Sequence, residues 1–329
     1  MPHKMIAFIL SVLGAFVIVN TMASVSLPAV EAPAFPGPGL GSPAGGKIKI
    51  IATVFPLAEF ARTIVGERGE VSLILPPGAD VHSWQPRVSD IRKLETAALL
   101  IYIGQGLEPW LDSLLKGADT GHLVRIEAAA GLNLIAGHED EHALEAKPEH
   151  DHGEFDPHVW LDFSQDEMIV ESLTQAMSRL DPQGSEIFGR NAEALKRKLR
   201  ALDASYRTTL ENCRGRRFLI GGHAAFSYLA RRYGLEQVAV YGRSPEAVPT
   251  PRETAAMIGR AKREGVKTVF FEPGVGDKMA RLIAAEIGAD IRILYPGHNL
   301  SPEQVAQGTS FFRLMEENLE SLKHGLACR

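Results

Sequence analysis

The sequence predicts an α/β protein of two lobes, each with a mainly parallel sheet flanked by helices, joined by one long rigid helix. Three observations carry this. Strand-like apolar runs alternate with helix-period segments over residues 47–104, the alternation resumes over 217–296, and between them lies a helical stretch, 185–213, with no internal proline. Strands that alternate with helices pair in parallel, because a parallel connection must cross a sheet face and a helix is the usual crossover.

In the first lobe KIKIIATV reads as a buried strand, FPLAEFARTIVG as a helix, EVSLILPP as a second strand, SDIRKLETA as a helix and ALLIYIG as a third strand. Two helices follow, DFSQDEMIVESLTQAMSRL and, after the break at Asp181-Pro182, SEIFGRNAEALKRKLRALDASYRTTLENC. The second is long for a globular helix, as a strut between lobes would be. Beyond it come RFLIGG, HAAFSYLARRYG, QVAVYG, PRETAAMIGRAKREG, VKTVFFEP, DKMARLIAAEIG and IRILYP, strand and helix in turn. SPEQVAQGTSFFRLMEENLESLKHGL reads as a single closing helix with Ser301 as N-cap and Glu303 in its first turn.

A net charge of -5 and 23% charged residues describe an ordinary globular chain, with no basic excess to hold nucleic acid. The first residues differ. MPHK is followed by the uncharged apolar run MIAFILSVLGAFVIV and the small-residue stretch NTMASVS, which reads as a secretory signal peptide cleaved after Ala23. A retained membrane anchor is the alternative. No cysteine follows that run, so lipid modification is not expected there. The only cysteines are Cys213 and Cys328, which in an oxidising compartment either pair or remain two free thiols. The expected organisation is a signal peptide over 1–23, a Pro/Gly-rich tether over 24–46, an N-terminal lobe over 47–184, a linking helix over 185–212 and a C-terminal lobe over 213–329.

The chain holds 11 histidines, and context separates them. His3 lies in the signal, and His122 and His324 sit among polar neighbours. His138, His142, His150 and His152 fall in HEDEHALEAKPEHDHGE, a stretch of carboxylates without apolar periodicity that reads as a mobile loop over 138–154. Its histidines are either incidental or an accessory, low-affinity metal collector. His82, His158, His223 and His298 remain, in ADVHSWQP, DPHVWLD, GGHAAFSYLA and YPGHNLS. Three of these follow the ends of predicted strands, and Pro157 fixes the chain before His158. Four such imidazoles are either independent loop residues or a nitrogen-rich site of the kind that suits Zn²⁺. Glu272 and Asp277, in FFEPGVGD, are either supports behind such a site or surface groups, and the surface is the preferred reading.

The words around these histidines decide between the readings. IIATVFPLAEFARTIVG, PPGADVHSWQPRVSDIRKLETAALLIYIGQGLEPWL, the acidic stretch leading into DPHVWLD, GGHAAFSYLARRYGL and VKTVFFEPGVGDKMARLIAAEIGA, in this order, resemble the ZnuA/TroA-like solute-binding proteins of zinc and manganese ABC transporters. The resemblance covers residues 47–326. It implies a metal held in the cleft between the lobes, with His82, His158 and His223 as ligands. Many members add an aspartate after the last strand, where ILYPGHNLS has no carboxylate; His298 falls closest to that place, and water is the alternative. Three imidazoles favour Zn²⁺ over the harder Mn²⁺. The resemblance further implies capture of Zn²⁺ as transported ligand and its delivery to a membrane permease with its ATPase, by a monomer that is not an enzyme and works outside the cytoplasm, in the periplasm. Release could be aided by protonation of the histidines. A manganese-binding homologue and an exported zinc hydrolase using the same three histidines are the competing readings. The second lacks an HExxH word and has no glutamate adjacent to any of the three in sequence.

Overall fold

The β-branched run IKIIA forms the first strand, β1 (Ile48–Ala52), and its burial is near complete because it lies inside a sheet with helices on its faces. The computed structural model describes residues 46–136, 154–240, 250–273 and 277–329. All of them belong to one compact unit. The stretches assigned from sequence to the signal, the tether up to residue 45, and the acidic loop with His138, His142, His150 and His152 lie outside the described residues.

After β1 the chain forms α1 (Phe55–Val65), β2 (Gly69–Leu73), α2 (Val88–Thr96), β3 (Leu99–Tyr102), α3 (Leu111–Lys116) and β4 (Val124–Glu127). These strands make one parallel sheet in the order β2-β1-β3-β4. Then come α4 (Phe163–Leu180), capped by the Asp162 carboxylate on Ser164 N, and α5 (Ser185–Glu211). The second sheet is built from β5 (Arg217–Ile220), β6 (Glu236–Ala239), β7 (Thr268–Phe271) and β8 (Asp290–Ile293), in the order β6-β5-β7-β8, again all parallel. Helices α6 (Ser227–Tyr233), α7 (Pro251–Arg263), α8 (Asp277–Ile287), α9 (Pro302–Ala306) and α10 (Phe311–Gly325) complete the described elements. The two-lobed parallel α/β class expected from the sequence is the one observed.

Both sheets share one topology, and this positions the site. In each, the chain leaves the first strand toward one side and returns on the other, so the crevice lies beyond the carboxyl ends of β1 and β3, and of β5 and β7. The long helix α5 buries one stripe, Phe188, Ala192, Leu195, Leu199, Leu202, Tyr206 and Leu210, at helical spacing. Tyr206 carries the stripe onto α10, its hydroxyl donating to Met315 O at 2.6 Å.

Two features depart from the sequence reading. HLVRIE supplies a fourth strand to the first sheet, β4, too short for its alternation to stand out. The closing segment is two helices rather than one. Ser301 does cap the first, accepting from Gln304 N, but Gly308 adopts φ +64 and Ser310 starts α10 afresh by accepting from Arg313 N. A left-handed glycine ends a helix at no steric cost, which the run of helix-favouring residues on either side concealed. The cysteines are paired: a disulfide joins Cys213 to Cys328 and encloses the second sheet in a loop of 115 residues. In the loop-entropy model a closure of that length contributes about 4 to 5 kcal/mol.

Candidate metal centre

The loop from β2 to α2 carries His82. Asp80 folds it into a turn, its Oδ1 accepting from His82 N at 2.9 Å and Ser83 N at 3.3 Å. Trp110 pins the same turn from below, Nε1 donating to Val81 O at 2.9 Å, while Trp84 packs edge-on against Trp110 with ring centres 4.7 Å apart. The strand ends beneath are held by Glu108, which accepts from Thr53 Oγ1, Ile103 N and Gly104 N. Burial pushes the Glu108 carboxyl up to about 7 against these donors.

His158 lies in the segment that enters α4. The Asp156 Oδ1 atom accepts from both its backbone N and its ring Nδ1, each at 2.9 Å, across the rigid Pro157. Val159–Leu161 then form one buried turn, and Trp160 Nε1 donates to Pro296 O at 2.7 Å, tying this segment to the chain after β8.

His223 follows β5. A Cβ on Gly221 would sit 2.5 Å from that of Ala280, so only glycine lets the end of β5 pass this close to α8. Glu272, one residue past β7, places Oε2 2.7 Å from His223 Nδ1. Glu272 is 3% exposed, which corrects the reading of it as a surface group: β7 is the neighbour of β5, so the first residue beyond it faces the site. The Asp277 side chain lies outside the description.

These elements converge. One nitrogen from each of His82, His158 and His223 lies within 4.8 Å of the others, and His158 Nε2 is 3.3 Å from His223 Nε2. His158 and His223 are fully buried. His298 stands beside this group rather than in it, its ring centre 6.5 Å from that of His82 and 6.4 Å from that of His223.

The electrostatics follow from burial and pairing. Burial works to raise the Asp156 and Glu272 carboxyls, but the hydrogen bonds and charge of His158 and His223 outweigh it and hold both below the usual range. Burial works to lower His223, and Glu272 outweighs it, leaving His223 raised; at His298 burial dominates and the ring is lowered. His158 Nδ1 is hydrogen-bonded to Asp156 and His223 Nδ1 stands 2.7 Å from Glu272 Oε2, so the Nε2 atoms of both rings face the same small space. At 3.3 Å one Nε2 donates to the other when it carries a proton, and a metal ion would take both lone pairs in place of that proton. Two ligand nitrogens on a tetrahedral Zn²⁺, each at about 2.0–2.1 Å, stand about 3.3 Å apart. The carboxylate–imidazole pairs also match the way metal-binding histidines are oriented in general.

A two-sheet parallel α/β protein with a buried imidazole cluster beyond its strand ends belongs to the class that holds a small ligand between lobes. The family is specific: residues 50–325 match the model for ZnuA, the periplasmic component A of zinc-uptake complexes, and the chain belongs to that family. It is 35% identical over 283 residues to the high-affinity zinc uptake system protein ZnuA of Bacillus subtilis, covering 86% of this chain and 88% of that one. The zinc-binding protein AdcA of Streptococcus pyogenes is 31% identical over 290 residues, 85% of this chain but 56% of AdcA, so the chain spans little more than half of that longer relative. The Zn(II)-bound ZnuA-like domain of Streptococcus pneumoniae AdcA superposes with a TM-score of 0.73 at 31% identity, covering 85% of this chain and 99% of the domain. These relatives are named for zinc uptake and zinc binding, not for a catalytic activity.

Proposed function

We propose that this chain is the extracytoplasmic, high-affinity zinc-binding component of an ABC transporter, capturing Zn²⁺ and passing it to a membrane permease driven by an ATPase. The ligands are His82, His158 and His223, with His298 nearest to the fourth position. One observation carries the reading: the 3.3 Å approach of His158 Nε2 to His223 Nε2, with His158 Nδ1 hydrogen-bonded to Asp156 and His223 Nδ1 2.7 Å from Glu272. Nitrogen donors favour zinc over manganese.

The chain binds and hands over the ion and does no chemistry on it. Asp156 and Glu272 balance the incoming charge, and the ion replaces the 3.3 Å contact between His158 Nε2 and His223 Nε2. The protein works as a monomer in the periplasm, exported by residues 1–23. The histidines at 138, 142, 150 and 152 act as a weaker collector, so deletion of 138–154 leaves the tight site intact. Zinc titration against a chromophoric chelator tests the site: the wild type takes up one tightly held ion per chain and His223→Ala does not. Equal tight binding in both removes the proposal.

A further inference from the structure

Two of the four histidines have their own carboxylate, and a third pair crosses from one lobe to the other. Asp80 belongs to the turn that carries His82. Its Oδ1 is used by His82 N and Ser83 N, while Oδ2 is buried, accepts no hydrogen bond, and lies 3.7 Å from His298 Nε2. His298 is 8% exposed, and its other nitrogen, Nδ1, is buried without a hydrogen-bond partner. A buried imidazole nitrogen left unpaired beside a cluster of metal-ligating type costs free energy unless something binds it.

The backbone around His298 is held by the first lobe. Phe55 N donates to His298 O, Gly78 N to Leu300 O, and Asn299 Nδ2 to both Pro76 O and Ala79 O, all at 2.8 Å. The residues on either side of Asp80 and of His298 are thus fixed against each other. The ring of His298 has little freedom except rotation, and Asp80 Oδ2 faces its Nε2 at 3.7 Å, just beyond hydrogen-bond distance.

We propose that Asp80 is a positioning residue that acts through His298: it holds His298 Nε2 and so turns Nδ1 toward the metal centre as the donor that completes the zinc shell. At His158 and His223 the carboxylate faces Nδ1; here it faces Nε2, so the roles of the two nitrogens are exchanged. This rests on the three-histidine zinc reading given above.

Asp80→Asn is the informative variant. Asparagine keeps the Oδ1 acceptor that His82 N and Ser83 N require, and replaces only the oxygen facing His298 by an amide. The measurements are the zinc dissociation rate into excess chelator and the visible spectrum of the Co²⁺-loaded protein, in wild type, Asp80→Asn, His298→Ala and the double variant. Loss of an orienting partner typically weakens metal binding by about 10- to 100-fold. Each single variant should release zinc at least about tenfold faster. The double variant should be no faster than His298→Ala, and all three should share one altered Co²⁺ spectrum. Multiplying effects in the double variant, or an Asp80→Asn protein with wild-type release and spectrum, overturns the proposal. If the wild type itself fails to hold one zinc tightly, the underlying zinc reading fails instead. The thermal midpoint of the metal-free Asp80→Asn protein should match wild type, which a merely structural role for Asp80 would not give.

Discussion

His158 and His223 come from segments 65 residues apart and from the two halves of the fold, yet their Nε2 atoms lie 3.3 Å from each other. Neither ring is free to turn away. Asp156 holds one by two hydrogen bonds, and Glu272 stands 2.7 Å from the other. The orientation of both rings is therefore set by carboxylates from the chain itself, one on either side of the cluster.

Removing those carboxylates should weaken binding without changing how many ions bind. In Asp156→Asn and Glu272→Gln the amide cannot serve as a full anionic acceptor for Nδ1–H, so the imidazole loses both orientation and basicity. We expect zinc affinity to fall by about 10- to 100-fold in each, with stoichiometry still one per chain. Competition with a chelator of known affinity measures this. Wild-type affinity in Glu272→Gln would return that residue to a bystander's role.

The tryptophans give a direct reporter of the site. The chain has three, and all surround it: Trp110 is bonded to the residue before His82, Trp84 packs on Trp110, and the Trp160 ring centre is 5.4 Å from that of His158. Zinc binding should change tryptophan emission and the near-ultraviolet circular dichroism in one saturable step, and His223→Ala should abolish that step. A zinc-loaded protein with the near-ultraviolet spectrum of the metal-free form would contradict this arrangement.

How far the sequence revealed this site can be seen residue by residue. His82, His158 and His223 were legible because each stands just past a strand or a rigid Pro, in a distinctive word. The alternation of strand and helix likewise revealed two parallel sheets. Glu272 was not legible, because only the sheet order, with β7 beside β5, brings its strand end to His223. The available signal was its position: one residue past a predicted strand in FFEP, where a crevice residue belongs. Asp156 was hidden for another reason. In an acidic stretch with nine carboxylates between 138 and 162, nothing local marks the one that the Asp-Pro-His geometry folds back onto its own histidine. Asp80 carries no local signal, since its neighbour His298 is distant in the chain and is brought to it by tertiary contacts.

The joint between the halves should set the acid stability. Arg232, on α6, donates Nε to Asp203 Oδ1 on α5 at 2.6 Å and Nη1 to Ser164 Oγ at 2.5 Å, and lies 3.0 Å from Asp162 Oδ1. Tyr233 OH donates to the same Asp203 oxygen at 2.8 Å. Burial works to raise the Asp203 carboxyl, but the hydrogen bonds from Arg232 and Tyr233 outweigh it and hold the group below its ordinary value of 3.8. The folded protein then binds fewer protons here than the unfolded chain, so stability rises with pH across the interval between the two values. The contribution is complete above 3.8 and is lost as the pH falls through the lower, folded value. Asp203→Asn should be less stable at pH 7 by about 2 kcal/mol, the usual loss for a hydrogen-bonded charged group. It should also lose less than wild type on acidification from pH 5 to pH 2, because the titrating group is gone. Arg232→Ala leaves two acidic partners without their cation and should cost more, about 3 kcal/mol. Urea unfolding at a series of pH values measures both effects, and parallel wild-type and Asp203→Asn profiles would show that the joint contributes nothing to acid sensitivity.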